Sequence, residues 1–155
     1  MNKQEFTRRV LAIENRLYRI SCGMLQNPQD RMDAVQEATI KAWANVAKLR
    51  RAEFFETWLT RILINECHNI LKARRNIVSL ESLPERGAYE GSNKPLRDAL
   101  LALEMDLRLP VLLYYMEGYK LREIAEILRI PEGTVKTRMV RAKKILKTLL
   151  EEEKA

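Results

Sequence analysis

The stretch Leu121-Arg122-Glu123-Ile124-Ala125-Glu126-Ile127-Leu128, followed by Arg129-Ile130-Pro131-Glu132-Gly133 and then by Thr134 through Leu146, decides the fold. It reads as a helix, a tight turn and a second helix, the arrangement of a helix-turn-helix. Leu121, Ile124, Ala125 and Leu128 are spaced to bury one face of the first helix, with Ala125 small where a crossing helix must come close. Gly133 is placed to relax the backbone at the turn and Thr134 to cap the second helix, whose apolar stripe is Val135, Met139, Ala142 and Leu146.

The opposite face of that second helix carries Lys136, Thr137, Val140, Arg141 and Lys144. A DNA major groove admits a helix. Arg and Lys can donate to guanine, Thr can bond either edge, and an apolar group can meet a thymine methyl. Arg138, Lys143 and Lys147 lie to the flanks, where phosphates are the expected contact. The plain alternative is a solvated basic helix that only covers its bundle. The turn, the small Ala125 and the lack of any acid from 134 to 147 weigh against it, and the acids resume at Glu151 to Glu153.

Outward from this segment the charge is uneven. The 155 residues hold 28 Lys plus Arg and 21 Asp plus Glu, a formal charge of +7 that makes a polyanion a plausible partner. Residues 1–75 carry 14 basic and 8 acidic side chains, 76–95 carry 2 and 3, and 96–155 carry 12 and 10. The connector 76–95 has Gly87, Gly91, Pro84, Pro95 and several Ser and Asn, with no sustained period; it reads as a flexible linker, on which Leu83 and Tyr89 can still dock. On either side the apolar period is helical. Phe6, Val10, Ile13, Leu17, Ile20 and Met24 predict a helix over 4–25, ended by Asn27-Pro28. Asp30 or Asp33 opens a second through Val35, Ala38, Ala42 and Val46 to about Lys48. Phe55, Trp58, Leu59, Ile62, Leu63 and Ile70 mark a third, to about Arg75. Leu96, Leu100, Leu103 and Leu107 resume the pattern, with Pro110 at a helix boundary or first turn. The fold class is all-α: two small helical bundle domains, 1–75 and 96–155, joined by the linker.

Composition excludes several classes. With 46% apolar residues the chain can bury a core, so disorder does not describe it. No apolar run approaches the ~20 residues of a membrane span, and the N-terminal residues lack the apolar region of an export signal. Cys22 and Cys67 read as reduced packing thiols of a cytoplasmic protein. One histidine leaves no metal constellation, and without a Walker motif or triad no cofactor and no catalysis are expected.

The first region adds two surfaces. Asp33, Gln36 and Glu37 share one helix face, able to clamp a basic protein surface or simply to sit as an acidic cluster in a first turn. Arg50, Arg51, Phe54 and Phe55 put aromatics beside cations in a short loop, suited to holding unstacked bases, unless Phe54, Phe55 and Trp58 are only core. Arg61, Asn65, His68 and Lys72 are read as a polar strip opposite Trp58, Ile62 and Leu63.

Four pieces together resemble a known family. Leu17-Tyr18-Arg19-Ile20, Asp33-Ala34-Val35-Gln36-Glu37 with Ala42-Trp43, Phe55 through Ile62 with Asn65, and Glu123 through Leu128 followed by Ile130 through Arg138 and Arg141-Ala142-Lys143 occur in the order seen in bacterial sigma factors of the extracytoplasmic function (ECF) subfamily. The resemblance implies a promoter-specificity subunit that binds core RNA polymerase through the β′ clamp and the β flap, and binds promoter DNA. It places Asp33, Gln36 and Glu37 on the β′ clamp helices. It assigns Arg50, Arg51, Phe54, Phe55, Thr57, Arg61 and Asn65 to capture of a flipped −10 base and melting. Lys136, Thr137, Arg138, Val140, Arg141 and Lys144 fall to the −35 element. It further implies a linker running toward the polymerase active-site channel, and an anti-sigma factor, often membrane-anchored. Departures from the pattern are Lys120-Leu121-Arg122 in place of a Ser-Tyr-like entry, the loose match of Arg108 to Val111, and Met139 and Val140 in the reading helix. Two other readings stand beside it: a stand-alone helix-turn-helix regulator that needs no polymerase, and, more distantly, an enzyme using His68 and Glu66 as acid and base.

Overall fold

The apolar periods become seven α-helices and three short turns of 3₁₀ or π type in a computed structural model that describes residues 1–75 and 94–154. Among the described residues there is no strand. The contacts divide into two units, Met1–Gly87 and Ala88–Ala155.

In the first unit α1 (Lys3–Met24) begins at Asn2, whose side chain accepts the Glu5 N–H at 2.8 Å. The second helix, α2 (Pro28–Asn45), starts earlier than either aspartate predicts. Asn27 caps it by accepting from Gln29 N–H at 2.8 Å, and Pro28 occupies the first turn, where its missing N–H costs nothing. The same Asn-Pro pair that stops α1 therefore opens α2. Asp30 is left to pair with Arg74 at 2.7 Å. The buried stripe shifts accordingly: Ala34, Ala38 and Ala42 are fully buried, while Val35 and Val46 are half-buried. Small residues at i, i+4 and i+8 bring the α2 backbone close to α1 and α3.

Two 3₁₀ turns, Val46–Lys48 and Ala52–Phe54, lead into α3 (Phe55–Arg75). Phe55, Leu59, Leu63 and Cys67 fill the core of this unit together with Phe6, Val10, Leu17 and Ile20. Arg31, 3% exposed, donates from Nε to Leu25 O at 2.8 Å and from Nη2 to Gln26 O at 3.2 Å. Its positive charge thus sits on the two carbonyls that follow α1, next to the helix end that favours a cation.

In the second unit α4 (Lys94–Ala102) already contains Lys94 and Pro95, two residues of the expected linker; the remainder of 76–95, with Leu83 and Tyr89, lies outside the described residues. After α5 (Met105–Val111) comes a π turn, Leu112–Met116. Pro110 sits inside α5 rather than at a boundary. Having no N–H, it breaks the helical ladder where the wider turn follows. The core here is Ala99, Leu100, Leu103, Leu107, Val111, Leu112, Ala142 and Leu146. Arg108 reaches back to the carbonyls of Leu100 (3.1 Å), Leu101 (2.8 Å) and Leu103 (2.8 Å), satisfying the end of α4.

The helix-turn-helix is α6 (Leu121–Leu128) and α7 (Glu132–Lys154), with three corrections to the expected detail. Ile124 and Ile127 are the buried residues of α6, and Leu121, Ala125 and Leu128 are half-buried. The left-handed residue of the turn is Arg129 (φ 55°), not Gly133. Its N–H closes on Ala125 O, as does that of Ile130 at 3.1 Å, a Schellman-type ending that needs the positive φ one residue after the helix. Gly133 and Thr134 lie within the first turn of α7, whose N–H groups at 134 and 135 bond to Pro131 O.

Candidate nucleic-acid interface

The reading helix behaves as its period predicts. Val135 and Ala142 are fully buried, Met139 and Leu146 nearly so, and the register that hides them turns Lys136, Thr137, Val140, Arg141 and Lys144 to solvent. Val140 is 56% exposed, an apolar side chain left largely open to solvent. Thr137 donates its hydroxyl proton to Gly133 O at 3.0 Å, which leaves its oxygen as an acceptor. Arg138 is half-buried and stands apart from the exposed row. Glu123 accepts the Lys120 backbone N–H at 2.9 Å and steadies the start of α6, so the unusual Lys120 entry still closes.

In the first unit the loop and α3 form a second surface. Arg50 and Arg51 are exposed between the two 3₁₀ turns, with Arg51 held loosely to Glu53 at 3.4 Å. Phe54 is 44% exposed, but Phe55 is 3% exposed. Phe55 packs edge-on to Phe6 at 5.7 Å and against Trp58 at 5.9 Å, so it supports the loop from below and cannot itself meet a base. Thr57 and Arg61 are half-buried and Asn65 is exposed. Thr57 donates to Phe54 O at 3.2 Å, tying the loop to the first turn of α3.

Helical register corrects the placement of Trp58. Residues 58 and 65 are seven apart, almost two full turns, and so share one side of α3. Trp58 therefore belongs to the same half-exposed side as Asn65 rather than opposite it, a relation the i, i+7 spacing already contained. Arg9 is a further contributor that no local motif signals. From α1 it donates to Ala52 O at 2.9 Å, pairs with Glu5 at 2.9 Å and lies 5.9 Å from the Phe55 ring centre. It pins the loop carbonyl from 43 residues away in sequence.

On α2, Asp33, Gln36 and Glu37 are all exposed, and Gln29 donates to Asp33 at 2.9 Å. Met32 (53%) and Ile40 (62%) flank them, so the face is acidic with apolar edges. It borders an open groove of about 430 Å³ lined by Glu14, Asn15, Tyr18, Met32, Val35 and Gln36. Glu66 is pinned in the seam with α2 by Lys41, and two positions along a helix point it away from His68. That removes the geometry an acid–base pair would need. No helix among the described residues is long and apolar enough to cross a membrane, and no group of three or more His, Cys, Asp or Glu could hold a metal.

Two helical units, one with a basic exposed helix face in a helix-turn-helix and one with a cation-and-aromatic loop beside an acidic helix face, define a class of two-unit helical proteins built around a helix-turn-helix. The Sigma-70 region 2 model matches residues 10–77, and the Sigma-70, region 4 model matches residues 94–146. RNA polymerase sigma factor SigV of Bacillus subtilis is 29% identical, over 99% of this chain and 98% of its own. RNA polymerase sigma-H factor of Pseudomonas aeruginosa is 30% identical, over 97% and 88%. Among solved structures, the sigma factor RpoE of Bartonella quintana, in complex with the anti-sigma factor NepR, has a TM-score of 0.82 at 27% identity, covering 96% of this chain and 98% of that one. The chain belongs to the sigma-70 family, in its ECF subfamily, and is a sigma factor directing promoter-specific transcription. The stand-alone regulator is not favoured.

Proposed function

We propose that this factor divides its work among three surfaces. The face of Asp33, Gln36 and Glu37 binds the clamp helices of the polymerase β′ subunit. The loop from Leu49 to Thr57, with Trp58, Arg61 and Asn65, captures an unstacked −10 base. The exposed row of Lys136, Thr137, Val140, Arg141 and Lys144 reads the −35 element, with Arg138 at its flank. The observation that carries this reading is the exposure of Val140 within an acid-free basic row on a helix whose other side is wholly packed. An apolar side chain among cations gains nothing in water and fits a thymine methyl.

The chain itself performs no chemistry in this account. Flipping one base costs a few kcal/mol, which stacking on Phe54 and hydrogen bonds at Asn65 offset, while polymerase binding supplies the rest. The apolar edges Met32 and Ile40 and the groove beside them suit an anti-sigma factor, which would compete with polymerase for the same face. The site of action is the cytoplasm, where polymerase and template are.

The test is reconstitution with core polymerase, followed by pull-down and run-off transcription. The complex should form and start transcription at a defined promoter, and charge reversal at both Asp33 and Glu37 should abolish capture. A chain that does not bind core polymerase defeats the proposal. Capture that survives the reversal defeats the clamp assignment alone.

A further inference from the structure

The π turn Leu112–Met116 adds one residue to a helical turn: Glu117 N–H bonds back five residues to Leu112 O at 3.1 Å. Such turns are rare and concentrate where a side chain has to be re-aimed for function. Here the turn keeps Leu112 and Leu113 buried but leaves Tyr114, Tyr115 and Met116 39%, 52% and 41% exposed. The two tyrosine rings meet edge to face at 4.9 Å, which fixes their directions. The Tyr115 ring centre lies 5.3 Å from Lys143 Nζ on the reading helix. Tyr115 is the main cause that raises the Lys143 pKa above the ordinary lysine value.

Lys143 sits seven residues from Lys136, three from Val140 and four from Lys147, and so borders the exposed row of α7. Between residues 134 and 150 there is no acid to neutralise it. A lysine is among the most rotamer-rich side chains, and a fixed phenol beside it removes part of that freedom before any ligand arrives. Its ammonium lies beside the Tyr115 ring and keeps its three protons for an anion. The Tyr115 hydroxyl, on the ring beside that ammonium, is a second donor for the same anion.

We infer that the DNA-contacting surface of the second unit extends beyond the helix-turn-helix onto this π turn, where Tyr115 and Lys143 together grip a backbone phosphate flanking the −35 element. The inference rests on the proposed reading of α7. Phosphate is the ligand that fits, because the site offers two donors and positive charge but no acceptor pattern for a base edge.

The experiment is holoenzyme binding to promoter duplex as a function of salt, on the cognate −35 sequence and on a scrambled one. Lys143→Ala should lower the slope of log K against log salt by about 0.9, the value for one lost phosphate contact, and weaken both duplexes equally. Tyr115→Phe should weaken both about two- to tenfold, the range of one hydrogen bond, and should have no further effect in the Lys143→Ala background. An unchanged slope in Lys143→Ala, or an undiminished Tyr115→Phe effect in that background, overturns the inference. So does a loss of core polymerase binding, which would put a protein on this ledge. Lys136→Ala separates the two levels: if it weakens the cognate duplex while Lys143→Ala does nothing, only the phosphate grip fails. If neither has an effect, the reading of α7 fails and this inference with it.

Discussion

Phe54 and Phe55 are neighbours with opposite environments, and the difference sets what each can do. Phe54→Ala should leave the unfolding midpoint nearly unchanged and weaken binding to single-stranded −10 DNA by about 1–3 kcal/mol, the value of one base–aromatic stack. Phe55→Ala should instead cost about 3–5 kcal/mol of stability, since it empties the space between Phe6 and Trp58. Equal stability losses in urea unfolding would contradict this division. Asn65→Ala should spare polymerase binding and impair open-complex formation; full permanganate reactivity at the promoter would remove Asn65 from melting. For α7, Lys136→Ala or Arg141→Ala should lower use of the cognate −35 element by about 1–3 kcal/mol if the side chain meets a base. A loss that is uniform across sequences would make it a phosphate contact instead.

At the scale of elements, the turn between α6 and α7 invites a paired test, because the glycine and the strained residue are not the same position. Arg129 holds φ 55°, a conformation costing an L-residue about 1–2 kcal/mol, so Arg129→Gly should raise stability by a fraction of that. Gly133 is helical, with nothing within 4 Å of an added Cβ, so Gly133→Ala should stabilise by about 0.5–1 kcal/mol. A decrease in the thermal midpoint for Gly133→Ala would return that glycine to the turn. The reason this was hidden in the sequence is physical. Glycine near a turn is the ordinary signal for positive φ, and only the Schellman hydrogen bonds of Arg129 and Ile130 move the strained position four residues earlier. The same limit applies elsewhere. Periodicity alone recovered the α7 face, because one apolar stripe determines its complement. Asn27-Pro28 carries two meanings, stop and start, and the apolar period on either side displays only the first. The Arg9 bond to Ala52 and the Lys143 approach to Tyr115 join residues 43 and 28 positions apart, and nothing local to either partner announces them.

For the molecule as a whole, stability should fall on the alkaline side. Burial pushes the Cys67 thiol up to about 12, with Glu66 and Cys22 adding to the effect. The unfolded thiol ionises from about pH 8.5, so folding is penalised progressively as pH rises from there toward 12. Lys41 acts in the same direction: the hydrogen bond to Glu66 raises its pKa, and that contribution, complete below about 10.4, is lost as pH rises through the folded value. The urea midpoint should therefore be level from pH 6 to 8 and decline above about 9. Cys67→Val should flatten the first part of that decline, and an unchanged profile would show that the thiol is not its source. With Cys22 and Cys67 both buried, a thiol reagent should label the native chain only as fast as it unfolds.

The wide turn at Leu112–Met116 has a consequence for how this half of the chain tolerates length change. Deleting one residue there would let the backbone revert to ordinary α spacing with everything downstream kept in phase, whereas deleting one from the regular helix α5 would swing everything downstream by about 100° about the helix axis. Tyr119, which is 4% exposed and bonds its N–H to Leu113 O at 2.9 Å, would keep its seat in the first case and lose it in the second. Only the second loss would aim the helix-turn-helix elsewhere, even though each of its own residues was intact. A frame-preserving loss of a single codon is thus absorbed at this point, while the same loss one turn earlier misdirects the whole second unit.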